Sequence, residues 1–251
     1  MRVMESLEGK KIGVVGSGLS GISLASLAAR KKACPFVSDN GPCKPNAVEQ
    51  LSSLGIAFEF GGHGSRLWES DMIVLSSGIS PTAAPVKEAE KRGIPVIGEL
   101  DFVAPFLKGK LVGVTGSNGK STTTALLGHL LKSMGKNAES IGNIGRPIAD
   151  YADAELDFLV MELSSFQLHW ASNLPVEVSI VTNLDPDHLD WHGSYEKYVE
   201  AKANLLKMQE AGKWAILQAR ELGHFTNVPS VKKCVLEWEL ESGGAECRIE
   251  M

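Results

Sequence analysis

Hydrophobic positions along this chain fall into short runs separated by amphipathic stretches, and that alternation predicts most of the elements. KIGVVG (11–16) is an apolar run ending in glycine, which reads as a buried strand. Residues 19–30 carry apolar positions at helical spacing, and ACPFVSD (33–39) reads as a second strand. A turn rich in Pro, Gly and Asn at 41–46 precedes a helix near 46–54 and a strand near IAFEF (56–60). DMIVLSS (71–77) reads as a further buried strand, followed by a helix led by Pro81 to about Arg92 and a short strand IPVIG (94–98). Strands alternating with helices imply a mostly parallel sheet covered on both faces.

The pattern restarts near residue 108. KLVGVTG (110–116) is a strand running into a glycine-rich turn, and Leu126, Leu127, Leu130, Leu131 and Met134 mark the helix after it. LDFLVMEL (156–163) and VSIVTN (178–183) read as buried strands. Residues 194–211 read as a helix with Ser194 as N-cap and Gly212 as its stop, followed by a strand at WAILQ (214–218). KCVLEWEL and AECRIE around SGG (242–244) suggest a hairpin. The expected division is therefore 1–107 and 108–251, two α/β domains.

A length of 251 residues fits that division, at roughly 100–200 residues per domain. With 43% hydrophobic residues, 22% charged residues and a net charge of −5, the chain reads as globular rather than disordered. No Lys/Arg cluster suggests nucleic-acid binding. The N-terminal stretch has no apolar core of signal-peptide length, and no run approaches the roughly 20 apolar residues of a membrane span. The 4 cysteines include no CxxC pair, so neither a zinc site nor a disulfide framework is expected, and a cytoplasmic, monomeric protein without membrane insertion is. The 26 glycines are in excess of the usual roughly 7%, and many lie beside Ser, Thr and Asn, where backbone can approach phosphate.

Two loops concentrate that excess. GSGLSG (16–21) matches G-x-G-x-x-G between a strand and a helix, with Asp39 about 20 residues on, where it could hold a ribose hydroxyl. This context points to a dinucleotide or another nucleotide, or to a bare strand–helix turn. TGSNGKST (115–122) ends as a phosphate loop ends. Lys120 would reach the outer phosphates and the Ser121 hydroxyl would ligate Mg²⁺. Its first glycine position is Val114, so the match to GxxxxGK[ST] is incomplete.

Three further features carry candidate chemistry. Glu162 ends an apolar strand, where a carboxylate either meets solvent or holds Mg²⁺. NLDPDHLDWHG (183–193) gathers Asp185, Asp187, His188, Asp190 and His192, a surface loop or a metal or phosphate site. Lys202 falls on the apolar face of its helix, three and four residues from Val199 and Tyr198. It either snorkels to water or is buried as a neutral amine able to react with CO₂.

In this order, the motifs GSGLSG, SSGIS (76–80), TGSNGKST, GNIG (142–145), ELSSFQL (162–168), DHLDWHG (187–193) and AK (201–202) resemble the Mur ligases of peptidoglycan precursor synthesis. ELSSFQL with GNIG is the most specific part and resembles the branch that adds D-glutamate. The resemblance implies a Rossmann-like N-terminal domain followed by a P-loop ATPase-type central domain. It assigns the first loop to the UDP part of UDP-N-acetylmuramoyl-L-alanine rather than to NAD, with Leu19, Ser20, Asp39, Asn40, Ser77, Gly78, Ile79, Asn143 and Ser164 at substrate positions. ATP would lie on Gly116, Ser117, Asn118, Gly119, Lys120, Ser121 and Thr122.

The same resemblance implies two Mg²⁺ sites, with Ser121, Glu162, His188 and a carbamylated Lys202 as ligands, and Lys120, Asn143, His188 and Lys202 as catalytic residues. ATP would activate the substrate carboxylate as an acyl phosphate, and the amine of D-glutamate would displace phosphate. The likeness covers nearly all of 10–218 and then fades. No LSGxHNxxN-type segment and no third, ligase domain follow in these 251 residues. The expectation is an incomplete central domain that binds nucleotides without turnover by itself. An NAD-dependent oxidoreductase is the outlying alternative, which leaves TGSNGKST, Glu162 and Lys202 unexplained.

Overall fold

The computed structural model describes residues 6–143, 145–225, 232–241 and 244–250. The chain divides into two compact units, one of 1–107 with Pro147–Asp153, the other of Lys108–Arg146 with 154–251.

The first unit alternates β1 (Lys11–Val15), α1 (Leu19–Arg30), β2 (Cys34–Asp39), α2 (Pro45–Ser53), β3 (Ala57–Phe60), β4 (Met72–Leu75), α3 (Ala84–Lys91), β5 (Val96–Gly98) and α4 (Glu99–Val103). Its strands pair in parallel in the order β3-β2-β1-β4-β5. Val14 stands in register with Val37 on one side and Val74 on the other, and all three are fully buried. Leu24 and Leu27 of α1 are buried with them, each adding roughly 1.5–3 kcal/mol of apolar burial. The order reverses at β1 and β4, which opens a crevice beyond their carboxyl ends.

The second unit carries β6 (Lys110–Thr115), α5 (Lys120–Ser133), β7 (Ala138–Gly142), β8 (Phe158–Glu162), α6 (Ser165–His169), β9 (Val176–Val181), α7 (Leu189–His192), α8 (Tyr195–Lys207), β10 (Trp214–Gln218), β11 (Lys232–Glu241) and β12 (Gly244–Glu250). The sheet order is β12-β11-β10-β9-β6-β8-β7, parallel except for the antiparallel pair β11–β12. That pair is the hairpin read from KCVLEWEL and AECRIE. Val112, Val114 and Val160 form a buried core against Leu127 and Leu131 of α5.

Some boundaries differ from the sequence reading. The helix expected from Pro81 starts at Ala84, and the helix expected to 211 ends at Lys207. β7 is an extra strand, an edge one, whose Glu139 and Ser140 break up the apolar run that would have announced it. The segment Pro147–Asp153 packs with the first unit although its neighbours in sequence belong to the second. Ser23 donates to Asp150 at 2.5 Å, Arg30 to the Ala149 carbonyl at 2.9 Å, and Lys31 pairs with Asp153 at 2.7 Å.

Candidate functional site

In the first unit the glycine loop joins β1 to α1. Gly21 lets the first turn of α1 close against the Gly16 carbonyl, a place where a Cβ would collide with backbone. The N-cap of α1 is Gly18, which supplies no capping side chain, so the first-turn amides keep their positive end toward the crevice.

Asp39 holds this loop from the end of β2. Its carboxylate accepts from Ser17 N–H at 2.8 Å, from the Ser17 hydroxyl at 2.5 Å, from Gly41 N–H at 2.7 Å and from Lys44 at 3.3 Å. Burial alone would raise its pKa. The donors from Ser17, Gly41 and Lys44 outweigh that and hold it well below the usual carboxylate range. Asn40 beside it is exposed, as is Leu19 at the mouth of the loop. Ser20 and Ser77, on opposite sides of the crevice, both donate to the buried Glu99, Ser77 at 2.7 Å. Gly78 has positive φ at +90° and forms the turn after β4 with Ile79.

In the second unit the phosphate loop leaves the centre of the sheet, where β6 lies between β8 and β9. Gly116 has φ +145°, and a Cβ there would strike the Thr182 hydroxyl. Gly119, at φ +80°, is the N-cap of α5, with Lys120, Ser121 and Thr122 as its first residues. The loop is pinned from the segment after β9. Ser117 N–H donates to the Asn183 carbonyl at 2.9 Å, Asn118 N–H to Asn183 Oδ1 at 2.8 Å, and Asp185 N–H to Ser117 Oγ at 2.8 Å.

Two lysines converge on that loop. Lys120 Nζ donates to the carbonyls of Gly116 and Ser117, both at 2.9 Å. Lys202 Nζ donates to the Gly116 carbonyl at 2.8 Å and to Thr115 Oγ1 at 3.3 Å. Only 2% of Lys202 is exposed, so it does not snorkel. Burial, and then repulsion from Lys120, lower its pKa to about 7 against a weaker opposing pull from Asp187. Tyr198, one turn earlier on α8, sets its ring 4.7 Å from Lys202 Nζ and its hydroxyl 2.7 Å from Ser117 Oγ. The pattern of apolar positions shows Tyr198 as core, and it is buried, but nothing in that pattern announces the bond to the loop.

Glu162 ends β8 in register with Val114, one strand over from the start of the loop. It is 1% exposed. Asn143 fastens it twice, through side-chain Nδ2 to Oε1 at 3.1 Å and backbone N–H to the Glu162 carbonyl at 3.0 Å. Oε2 is buried without a hydrogen-bond partner. An unmet buried acceptor costs about 1–3 kcal/mol, more when charged, and a Mg²⁺ at this oxygen would remove that cost. Among the described residues no group of three or more His, Cys, Asp and Glu gathers. What the structure offers an ion here is the single unmet oxygen of Glu162, a hard ligand of the kind Mg²⁺ takes.

Other expected site residues have different surroundings. His188 has φ +51°, pairs with Asp187 at 3.3 Å and packs on Phe166 at 4.7 Å between ring centres. Ser164 is the N-cap of α6 in a capping box with Gln167, so its hydroxyl serves the helix end. Ser165, beside it, meets His192 Nε2 at 2.9 Å. Burial and then His169, Lys202 and His188 hold His192 near 4, with Asp190 opposing. It is a neutral, buried imidazole between Trp191 and Tyr198.

The two units are α/β layers built on mainly parallel strands, and the second carries a glycine-rich loop of phosphate-loop form between β6 and α5. Residues 11–84 match the MurD N-terminal domain model and residues 114–238 match the Mur ligase middle domain model. The chain belongs to the Mur ligase family. It is 38% identical over 215 residues to the UDP-N-acetylmuramoylalanine--D-glutamate ligase of Chlorobaculum parvum, covering 83% of this chain and 46% of that protein. The enzyme of the same name from Koribacter versatilis is 40% identical over 221 residues, covering 85% and 48%. The chain thus spans about half the length of the relatives it matches. Among solved structures, the UDP-N-acetylmuramate:L-alanyl-gamma-D-glutamyl-meso-diaminopimelate ligase from Neisseria meningitides superposes with a TM-score of 0.64 at 17% identity. That match covers 96% of this chain and 84% of the other and shows a shared fold.

Proposed function

We propose that this chain carries the nucleotide-sugar and ATP sites of a ligase that joins D-glutamate to UDP-N-acetylmuramoyl-L-alanine. The observation that carries the reading is the cluster after β6 and β8. Lys120 and Lys202 meet at the Gly116 carbonyl, and the buried Glu162 stands one strand away with one oxygen unmet. Relatives that match over four-fifths of this chain bear the name of that ligase.

In this reading the backbone amides of Ser117 to Lys120 cradle the phosphates of ATP, and Lys120 turns from its loop carbonyls to the transferring group. Ser121 and Glu162 would hold Mg²⁺, which would supply charge neutralisation at the phosphoryl oxygens. Asn143 keeps Glu162 aimed. Lys202, whose pKa is lowered to about 7, would add CO₂ through its neutral amine and release a proton, and the resulting carbamate and His188 of the 183–193 loop would hold a second Mg²⁺. The substrate carboxylate takes the γ-phosphoryl group of ATP to give an acyl phosphate and ADP, and the amine of D-glutamate then attacks the acyl carbon, losing a proton and displacing phosphate. In the first unit, the amides of α1 and the turn at Ser77, Gly78 and Ile79 receive the UDP moiety.

The test is direct titration of the chain with ATP and Mg²⁺, and separately with UDP. Both should bind, and Lys120→Ala should weaken ATP at least tenfold while leaving UDP unchanged. An unaltered ATP affinity in Lys120→Ala would reject the phosphate-loop assignment.

A further inference from the structure

Glu99 lies outside every motif of the sequence, yet it touches both sides of the first unit's crevice. It is the first residue of α4, directly after β5, and only 6% of it is exposed. One carboxylate oxygen accepts from the hydroxyl of Ser20, in the first turn of α1. The other accepts from the hydroxyl of Ser77, in the turn after β4, at 2.7 Å. β1 and β4 are neighbours in the sheet and mark its topological switch point. The two hydroxyls thus belong to the two lips of the crevice where such sheets receive ligands.

A carboxylate in this position has a demand that water cannot meet. A buried ionised acceptor left unpaired is costly, so each oxygen keeps its serine in one rotamer. The α1 turn and the β4 turn cannot drift apart without breaking one of these charge-assisted bonds. Ser77 is otherwise exposed and on a glycine turn, so the bond to Glu99 is what restricts it.

We propose that Glu99 is a positioning residue for the nucleotide of the sugar substrate: it sets the separation of the two lips and the rotamers of Ser20 and Ser77 before the ligand arrives. The proposal rests on the reading that the first unit binds the UDP moiety. Glu99 itself touches no ligand and acts through the two serines.

The test uses the full chain, with UDP as probe and ATP with Mg²⁺ as an internal control for the second unit. Glu99→Gln keeps the shape of the side chain but replaces one acceptor oxygen by a donor NH₂ that faces a hydroxyl. It should weaken UDP at least tenfold and leave ATP affinity within twofold. In a Ser20→Ala/Ser77→Ala background the same substitution should cost UDP binding less than threefold, because the groups it positions are gone. That non-additivity is not expected of a residue that only supports the fold. If Glu99→Gln does not fold, Glu99→Asp serves: retraction by one methylene should weaken UDP while circular dichroism stays native. Equal UDP affinity in parent and folded variant overturns the proposal alone, as does a full tenfold loss in the serine-less background. No UDP binding by the parent chain overturns the nucleotide reading, and the proposal with it.

Discussion

Lys120 and Lys202 donate to one shared acceptor, the carbonyl oxygen of Gly116, at 2.9 and 2.8 Å. Repulsion between the two ammonium groups adds to the burial that already disfavours a charge on Lys202. Its pKa falls from 10.5 to about 7 on folding. Between those values the unfolded chain binds more protons than the native one, so stability rises with pH across that window. The native penalty is fully developed below about 7 and vanishes above 10.5. Lys202→Met should flatten the rise of unfolding free energy between pH 7 and 10 in bicarbonate-free buffer, measured by urea titration. The lost rise across the window should amount to a few kcal/mol, at about 1.4 kcal/mol per tenfold change in proton affinity. An unchanged slope would show that folding leaves the proton affinity of Lys202 unaltered.

Tyr198 ties α8 to the phosphate loop through Ser117. Tyr198→Phe keeps the ring over Lys202 and removes only the hydroxyl, so it should cost about 1 kcal/mol of stability. The looser loop should raise the Kd for ATP several-fold with no change for UDP. Calorimetric titration of both nucleotides separates these outcomes.

Glu162 should matter to the metal rather than to the fold. Glu162→Gln retains the bond from Asn143 to Oε1 and removes the charge beside it. The parent chain should bind ATP more tightly when Mg²⁺ is present, and the variant should lose at least tenfold of that enhancement. Its thermal midpoint should stay within a few degrees. Retention of the full Mg²⁺ effect would take Glu162 out of the metal site.

Asp39 gathers donors from Ser17, Gly41 and Lys44 that hold its carboxyl well below 3.8. A depressed carboxyl stabilises the native state above the unfolded value and loses that contribution as pH falls through the folded one. Asp39→Asn should therefore destabilise the chain by about 1–3 kcal/mol at pH 7. The difference from the parent should shrink below pH 3.8, as read by acid titration of circular dichroism. The variant should also bind UDP more weakly, since Ser17 loses its anchor.

Much of this architecture is written in the chain. Apolar runs such as KIGVVG and DMIVLSS can only be buried strands, and each ends where a loop must begin. The helical spacing of Tyr198, Val199, Leu205 and Leu206 correctly put Lys202 on the inner face. In α5 the leucine stripe splits between two faces. Leu126, Leu130 and Met134 are exposed, while Leu127 and Leu131 face the sheet. A periodic stripe wide enough for two faces does not say which one the core takes. Long-range polar bonds were invisible for a different reason. Nothing local distinguishes Glu99 from a surface glutamate, because its partners are 22 and 79 residues away. The capping role of Ser164 is legible from its spacing to Gln167.

The excursion of Pro147–Asp153 into the first unit means that the backbone passes between the units three times, after residues 107, 146 and 153. A gene cut at 107 would therefore not release a whole N-terminal domain. It would leave behind the short stretch whose Ala149 carbonyl, Asp150 and Asp153 satisfy Arg30 and Ser23 of α1 and Lys31, the residue that caps it. That stretch lies between Asn143 and Glu162 in the sequence, so the linear order of the gene interleaves the two units. Swapping one half of such a protein for that of a relative requires exchanging two separate pieces of sequence, not one.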